Sequence, residues 1–256
     1  MNWDGKTVFL TGASSGIGEA LAVALARKGA VLGLVARRAE LLDTLKAKCE
    51  EAGGKARAFP SDVTDPAALE KAAEAFRNEF GHIDIAVANA GIGGNNAETR
   101  DFEPAAVKKV IDINLLGAVN MIHAVLPSMK ERKSGHLVAI SSLAGFRGLP
   151  KSAAYCASKA GMTAFFESVR LDVLRHNIDV TIIQPGFIKT PLTDNRTHKM
   201  PYLMELDDAI PRFVSAIEKK EKFAAFPWQL ATFVRAAKFM PAWLYDRIAV
   251  KRRYRE

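Results

Sequence analysis

Cysteine is scarce in this sequence: Cys49 and Cys156 are the only two in 256 residues, far apart and without CxxC spacing. That excludes a disulfide framework and offers no zinc-ligand pattern, so buried free thiols and no metal site are expected. There is no run of about 18 uncharged apolar residues, and Met1 to Lys6 lacks the basic and apolar blocks of a signal peptide. A cytoplasmic location is the expectation. Linkers rich in Gly, Ser or Pro and solenoid-scale repeats are also missing, which makes one continuous domain the economical reading. What is present is ordinary for a globular chain, 49% hydrophobic and 25% charged residues, and excludes disorder, collagen-like repeats and small disulfide scaffolds.

The formal net charge is +8, and its location matters more than its size. Between Trp228 and Glu256 seven basic residues (Arg235, Lys238, Arg247, Lys251, Arg252, Arg253 and Arg255) stand against Asp246 and Glu256, so +5 of the +8 lies there. The rest of the chain alternates charge sign along helices and keeps its aromatics in apolar segments, which sets a nucleic-acid surface aside.

Short apolar runs alternate with longer amphipathic stretches. The runs Thr7 to Leu10, Val31 to Val35, Ala56 to Phe59, Ile83 to Ala88, His136 to Ile140 and Val180 to Ile183 read as strands. Ile17 to Lys28, Ala39 to Ala52, a segment opened by Asp65-Pro66 and ending near Gly81, Pro104 to Lys130 and Ala153 to Asn177 read as helices. Strands joined by helices lie parallel with both faces covered, so the fold class is α/β, a doubly wound, mostly parallel, Rossmann-like sheet with helices on both faces. After Ile183 a polar loop is followed by a helical stretch from Leu206 to Lys219, with a late strand only hinted at by Lys222 to Phe226. The Rossmann-like domain is assigned to 1–226, with a substrate loop over about 190–212, and 227–256 is read as an amphipathic basic extension.

Thr11-Gly12-Ala13-Ser14-Ser15-Gly16-Ile17-Gly18 joins the first strand to the first helix. There the helix presents unpaired N–H groups and its positive dipole end to a diphosphate, and the glycines let the backbone approach it. The same residues hold Gly12-x-Ser14-x-Gly16, the spacing of a hydrolase nucleophile elbow. Only one strand precedes it, and the late histidine His198 lies in a polar loop, so position argues against a hydrolase. Tyr155-x-x-x-Lys159 sits inside a helix, where residues four apart share a face. A phenol of ordinary pKa about 10 needs a nearby cation to exchange protons near neutrality. The plain alternative is an amphipathic helix with a core tyrosine and a solvated lysine.

In chain order the sequence carries TGxxxGxG (Thr11 to Gly18), a DV pair (Asp62-Val63), Asn89-Ala90-Gly91, a helix asparagine (Asn114), Ser142, Tyr155 with Lys159, and Pro185-Gly186 to Thr190. This set resembles the short-chain dehydrogenase/reductase family over residues 5 to about 190. The tail beyond Lys222 departs from the strand and glycine-rich turn in which the commonest members end. The resemblance implies an oxidoreductase moving a hydride between a nicotinamide cofactor and a carbonyl or secondary alcohol. Ser142 would polarise the substrate oxygen, and Tyr155 would give or take the proton. Lys159 would support the tyrosine and grip the nicotinamide ribose, and Asn114 would hold a relay water unless it merely satisfies a buried backbone group. Gly12, Ser14, Ser15, Gly16, Ile17 and Gly18 would cradle the diphosphate. Asp62 and Val63 would flank the adenine, Asn89, Ala90 and Gly91 its ribose, and Pro185, Gly186, Ile188 and Thr190 the carboxamide side. A different class, a cofactor-binding regulator without turnover, would need no such complete set.

An acidic residue ending the second strand would select NAD(H), but Ala36-Arg37-Arg38 stands there. Two guanidinium groups suit a 2′-phosphate, so NADP(H) is expected ahead of NAD(H), unless both arginines are only solvated. Met200 to Met204 reads as a lid over a moderately apolar small-molecule substrate, or as a segment packed on the body. The resemblance suggests a homodimer through the two long helices, with Val119, Ile122, Val125, Phe165 and Phe166 as the apolar contact. In the tail the apolar set Trp228, Leu230, Phe233, Val234, Phe239 and Met240 reads as one wide face. Two readings stay open for it: a cover on the pocket or a partner subunit, and a peripheral contact with the inner face of an anionic membrane.

Overall fold

A computed structural model describes residues 1–93, 103–194 and 200–253. The apolar runs become β1 Thr7–Thr11, β2 Val31–Ala36, β3 Lys55–Pro60, β4 Ile85–Ala88, β5 Gly135–Ile140, β6 Ile178–Pro185 and β7 Phe223–Phe226. They form one sheet in the order β3-β2-β1-β4-β5-β6-β7, every neighbouring pair parallel. The chain winds outward from β1 through β3, returns to the other side of β1 at β4, and winds outward again. The gap between β1 and β4, beyond their carboxyl ends, is where such a sheet leaves a crevice.

Successive strand residues point to opposite faces, and helices cover both. Val8, Leu10, Leu32 and Leu34 pack with α1 Gly16–Ala26, α2 Ala39–Glu51 and α7 Leu206–Glu218. Phe9, Val31 and Val35 pack on the opposite face with α3 Pro66–Phe80, α5 Gly117–Arg132 and α6 Ala153–Val173. Local signals set several boundaries. Asp65 caps α3 by accepting from the Ala68 N–H at 3.0 Å, Pro66 occupies its first turn, and Gly81 ends it at φ 86°. Cys49 and Cys156 are buried free thiols, and burial pushes Cys49 up to about 12.

Three readings are corrected. The helix expected from Pro104 to Lys130 is α4 Pro104–Ile111, a π-helical turn Asp112–Leu116 and α5, because the widened turn seats Asn114 against the backbone of Ile92. By length and composition the run Pro104–Arg132 could cross a membrane, but half of its apolar window is buried and it lies against α3, α6 and the sheet. The helix expected to reach Asn177 stops at Val173, followed by a 3-10 turn Leu174–His176, and Asn177 takes a left-handed conformation at φ 53°. The proposed subunit contact changes in part: Ile122, Val125 and Phe166 are 5%, 0% and 0% exposed within their own chain, Val119 and Phe165 stay half-buried, and Leu116 and Leu171 are barer at 46% and 64%.

The tail forms α8 Trp228–Lys238 and α9 Ala242–Arg253. Its apolar residues do not share one face. Leu230, Val234 and Ala237 turn inward, whereas Trp228 and Phe239 are 69% and 85% exposed. Arg147, in the loop after β5, clasps the two helices. Its guanidinium donates to the Ala237 carbonyl and, at 2.7 Å, to the Met240 carbonyl, completing the end of α8. The same group lies 3.9 Å over the Tyr245 ring, whose hydroxyl donates to Gly148 O at 2.6 Å. Removing it with Arg147→Ala leaves two helix-terminal carbonyls without that donor, at a cost of about 1–3 kcal/mol. Hydrogen exchange in 228–249 should accelerate while the amides of the central strands keep their protection. Unchanged exchange in the tail would show that another contact holds it.

Candidate active site

At the carboxyl end of β1 the chain turns into α1 with no side-chain cap on its first N–H groups, Ser15 being the N-cap. This leaves helix-terminal donors facing the β1/β4 crevice. Gly12 stands at φ 67°, and a Cβ on it would meet the Cα of Ala90 at 2.6 Å. A Cβ on Gly18 would meet the Gly12 carbonyl oxygen at 2.2 Å. Bare backbone is therefore required on both sides of this turn. Asn89 fastens it from behind, its amide donating to the carbonyls of Thr11 at 3.1 Å and Gly12 at 2.9 Å.

Two arginines stand at the end of β2. Arg38 donates to the hydroxyl oxygens of Ser14 at 3.0 Å and Ser15 at 3.3 Å. Arg37 lies 3.8 Å from Asp62, whose carboxylate also accepts from the backbone and hydroxyl of Thr64, both at 2.9 Å. Two positive charges against one carboxylate give this corner of the crevice an excess of positive charge.

On the far side of β4, Ser142 lies two residues past β5 and caps a 3-10 turn, its Oγ accepting from the Ala144 N–H at 3.1 Å. Among the described residues its own proton finds a marginal acceptor, the Pro185 carbonyl at 3.5 Å. Tyr155 and Lys159 follow on α6, with the Lys159 Nζ 5.9 Å from the Tyr155 ring centroid. Lys159 is buried and donates to the Ile140 carbonyl at 2.8 Å. Burial pushes its ammonium down to about 8. Asn114 is fully buried: its Oδ1 accepts from Ile92 N at 2.8 Å, and its Nδ2 donates to Ile92 O and to Ser158 Oγ, each at 3.0 Å. Its side chain thus pairs with both part-buried backbone groups of Ile92.

These groups border one cleft of about 2000 Å³. Gly12, Ser14, Ser15, Gly16, Ile17, Arg37, Arg38, Asp62 and Val63 line one part. Asn89, Ala90, Gly91, Ser142, Tyr155, Lys159, Pro185, Gly186, Ile188 and Thr190 line the rest. Of the residues singled out from sequence, Gly18 and Asn114 do not line it and act from behind the wall. Pro201 and Tyr202 border the mouth, Tyr202 being 56% exposed, while Met204 is tied down by a bridge to Ile188. His198 lies outside the described residues.

The tail supplies the cleft's apolar wall, in line with its reading as a cover on the pocket, whereas sequence reasoning missed Arg147. Leu230, Phe233, Val234, Ala237 and Met240 of the α8 segment and Tyr245 of α9 line it, with Arg147 beside them. No local signal marks Arg147, because its partners Ala237, Met240 and Tyr245 are 90 or more residues away in the chain.

The short chain dehydrogenase family model matches residues 6–201. An uncharacterized oxidoreductase of Myxococcus xanthus is 44% identical over 95% of this chain and 96% of its own length. A fatty acyl-CoA reductase of Acinetobacter baylyi is 34% identical, covering 86% of this chain and 76% of that protein. Among solved structures, a metagenomic short-chain oxidoreductase in complex with NADP superposes with a TM-score of 0.74 at 29% identity, over 88% of this chain and 96% of that one. With its seven parallel strands and the family match over most of its length, the chain belongs to the short-chain dehydrogenase/reductase family of oxidoreductases.

Proposed function

We propose that the protein is an NADP(H)-dependent oxidoreductase that interconverts a carbonyl and a secondary alcohol on a moderately apolar small molecule. The observation that carries this reading is one cleft with a donor-lined, positively charged corner at one end, Ser142, Tyr155 and Lys159 in its middle, and an apolar wall at the other. The residues present fit a dinucleotide. A Cβ would fill the cradle at Gly12, the first N–H groups of α1 lack a side-chain cap, and the volume exceeds the roughly 300–1000 Å³ of an ordinary ligand pocket. Arg37 and Arg38, with Ser14 beside them, are the groups to hold a 2′-phosphate. The neighbour crystallised with NADP supports that choice, and the acyl-CoA reductase relative agrees with an apolar substrate.

When bound, the nicotinamide supplies or accepts the hydride. The Ser142 hydroxyl donates a hydrogen bond to the substrate oxygen, keeping its proton, and thereby polarises and holds the carbonyl. Tyr155 gives its phenolic proton to the same oxygen in reduction and takes it back in oxidation. The Lys159 ammonium, charged below about pH 8, favours the phenolate that remains. The nearby cation offsets part of the roughly 4 kcal/mol needed to lower a phenol by three pKa units. Asn114 serves as a positioning residue, clamping Ile92 and with it the neighbouring Gly91, where a Cβ would lie 3.7 Å from Lys159 Nζ.

Turnover can be followed at 340 nm across a panel of carbonyls and alcohols. Tyr155→Phe should lower it by about 10²–10⁴-fold while the affinity for NADPH stays nearly constant. Tight NADPH binding with no Tyr155-dependent turnover in the panel would replace the enzyme by a non-catalytic NADP(H)-binding regulator. Arg37→Asp should weaken NADPH by about 10–100-fold and NADH far less, since it puts a negative charge beside the 2′-phosphate. Equal losses for both cofactors would overturn the NADP(H) assignment. A homodimer through the α4–α5 run and α6 is also proposed, its bare apolar side chains being Leu116 and Leu171. Light scattering should give twice the chain mass, and a monomer mass would refute it.

A further inference from the structure

Three tryptophans occur in the chain, and Trp3 is buried at 2% exposure. The other two, Trp228 and Trp243, both lie on the tail and are 69% and 68% exposed, with Phe239 between them at 85%. None of the three lines the cleft. At about 100° per residue Trp228, Thr232, Arg235 and Phe239 fall in one narrow stripe of α8, opposite the stripe of Leu230, Val234 and Ala237 that faces inward. The helix is thus two-sided. One face supplies the apolar wall of the cleft, and the other carries bare aromatics with no substrate to meet.

Large aromatics left in water forgo the burial that favours them elsewhere, and a cluster of them marks a surface that something covers. Charge identifies the occupant. Arg235 and Lys238 share α8 with Trp228, the Arg235 guanidinium lying 5.8 Å over the Phe146 ring, and Arg247 shares α9 with Trp243. The sequence continues with Lys251, Arg252, Arg253 and Arg255, giving the tail +5 of the chain's net +8. A second copy of the same basic face would be repelled, whereas an anionic surface would be attracted. Exposed tryptophan and phenylalanine beside lysine and arginine are the side chains that settle at the interface of an anionic bilayer. The rings sit at headgroup depth and the cations pair with the lipid charge. We propose that the outer face of α8 and the start of α9 dock on an anionic lipid bilayer.

The test uses the full-length chain and extruded vesicles, either of phosphatidylcholine alone or with about one third phosphatidylglycerol. Co-sedimentation should show binding to the anionic vesicles at low salt and strong release at about 0.5 M salt. Tryptophan emission should shift to the blue on binding, since only Trp228 and Trp243 start in water. The double variant F239E/W243E should bind at least about tenfold more weakly. Its thermal midpoint and NADPH affinity should match the parent, because both side chains are exposed and outside the cleft. Replacing Lys251, Arg252, Arg253 and Arg255 by Gln should cost about fivefold per base and flatten the salt dependence. Absence of binding to anionic vesicles at low salt would overturn the proposal. So would undiminished binding by F239E/W243E, or a lipid-free blue shift that grows with protein concentration, which would assign the face to a second copy.

Discussion

A methyl group on Gly12 would sit 2.6 Å from the Cα of Ala90, and one on Gly18 2.2 Å from the Gly12 oxygen, so the turn into α1 and the end of β4 share this space only as bare backbone. That approach fixes where the sheet reverses its winding and opens the crevice beside a helix N-terminus. Thr11 and Asn89 hold it shut by short hydrogen bonds across β1 and β4. The positive corner at β2 and the polar groups beyond β4 then face one another across a single cleft because both are measured from this junction.

The other constraint is the burial of Lys159. An ammonium removed from water is costly, and here desolvation lowers it from 10.5 to about 8. The Ile140 carbonyl compensates it in part, and α6 holds it beneath Tyr155. A cation kept in this position has more influence on a neighbouring phenol than a solvated one, since little water screens it. The π-helical turn serves the same region: it brings Asn114 inward, where its amide pairs with both backbone groups of Ile92 and aligns the segment over Lys159.

The tail adds a layer to this frame. Arg147 ties it to the loop that follows Ser142, joining the helix that supplies the apolar wall of the cleft to that loop. A chain of packed contacts therefore runs from the exposed rings through α8 to the cleft.

The alternation of strand and helix, the parallel sheet, the cap at Asp65-Pro66 and the cradle from Gly12 to Gly18 were legible because each rests on local periodicity or turn chemistry within a few residues. The candidate site was legible for a similar reason: its residues sit at strand ends and on one helix face, positions that chain order in a doubly wound sheet brings to one edge. Other features only the tertiary structure decided. Arg147 gains its role from carbonyls and a ring 90 or more residues away, which no window of sequence contains. The π-helical turn is a one-residue widening that leaves apolar periodicity nearly intact, so Pro104 to Arg132 reads as a plain helix. The apolar residues of α8 looked like a single face because hydrophobicity marks what avoids water, and only packing decides which neighbour removes it. Leu230 and Val234 found the cleft, Ile122, Val125 and Phe166 found their own sheet, and Trp228 and Phe239 found no cover within the described chain.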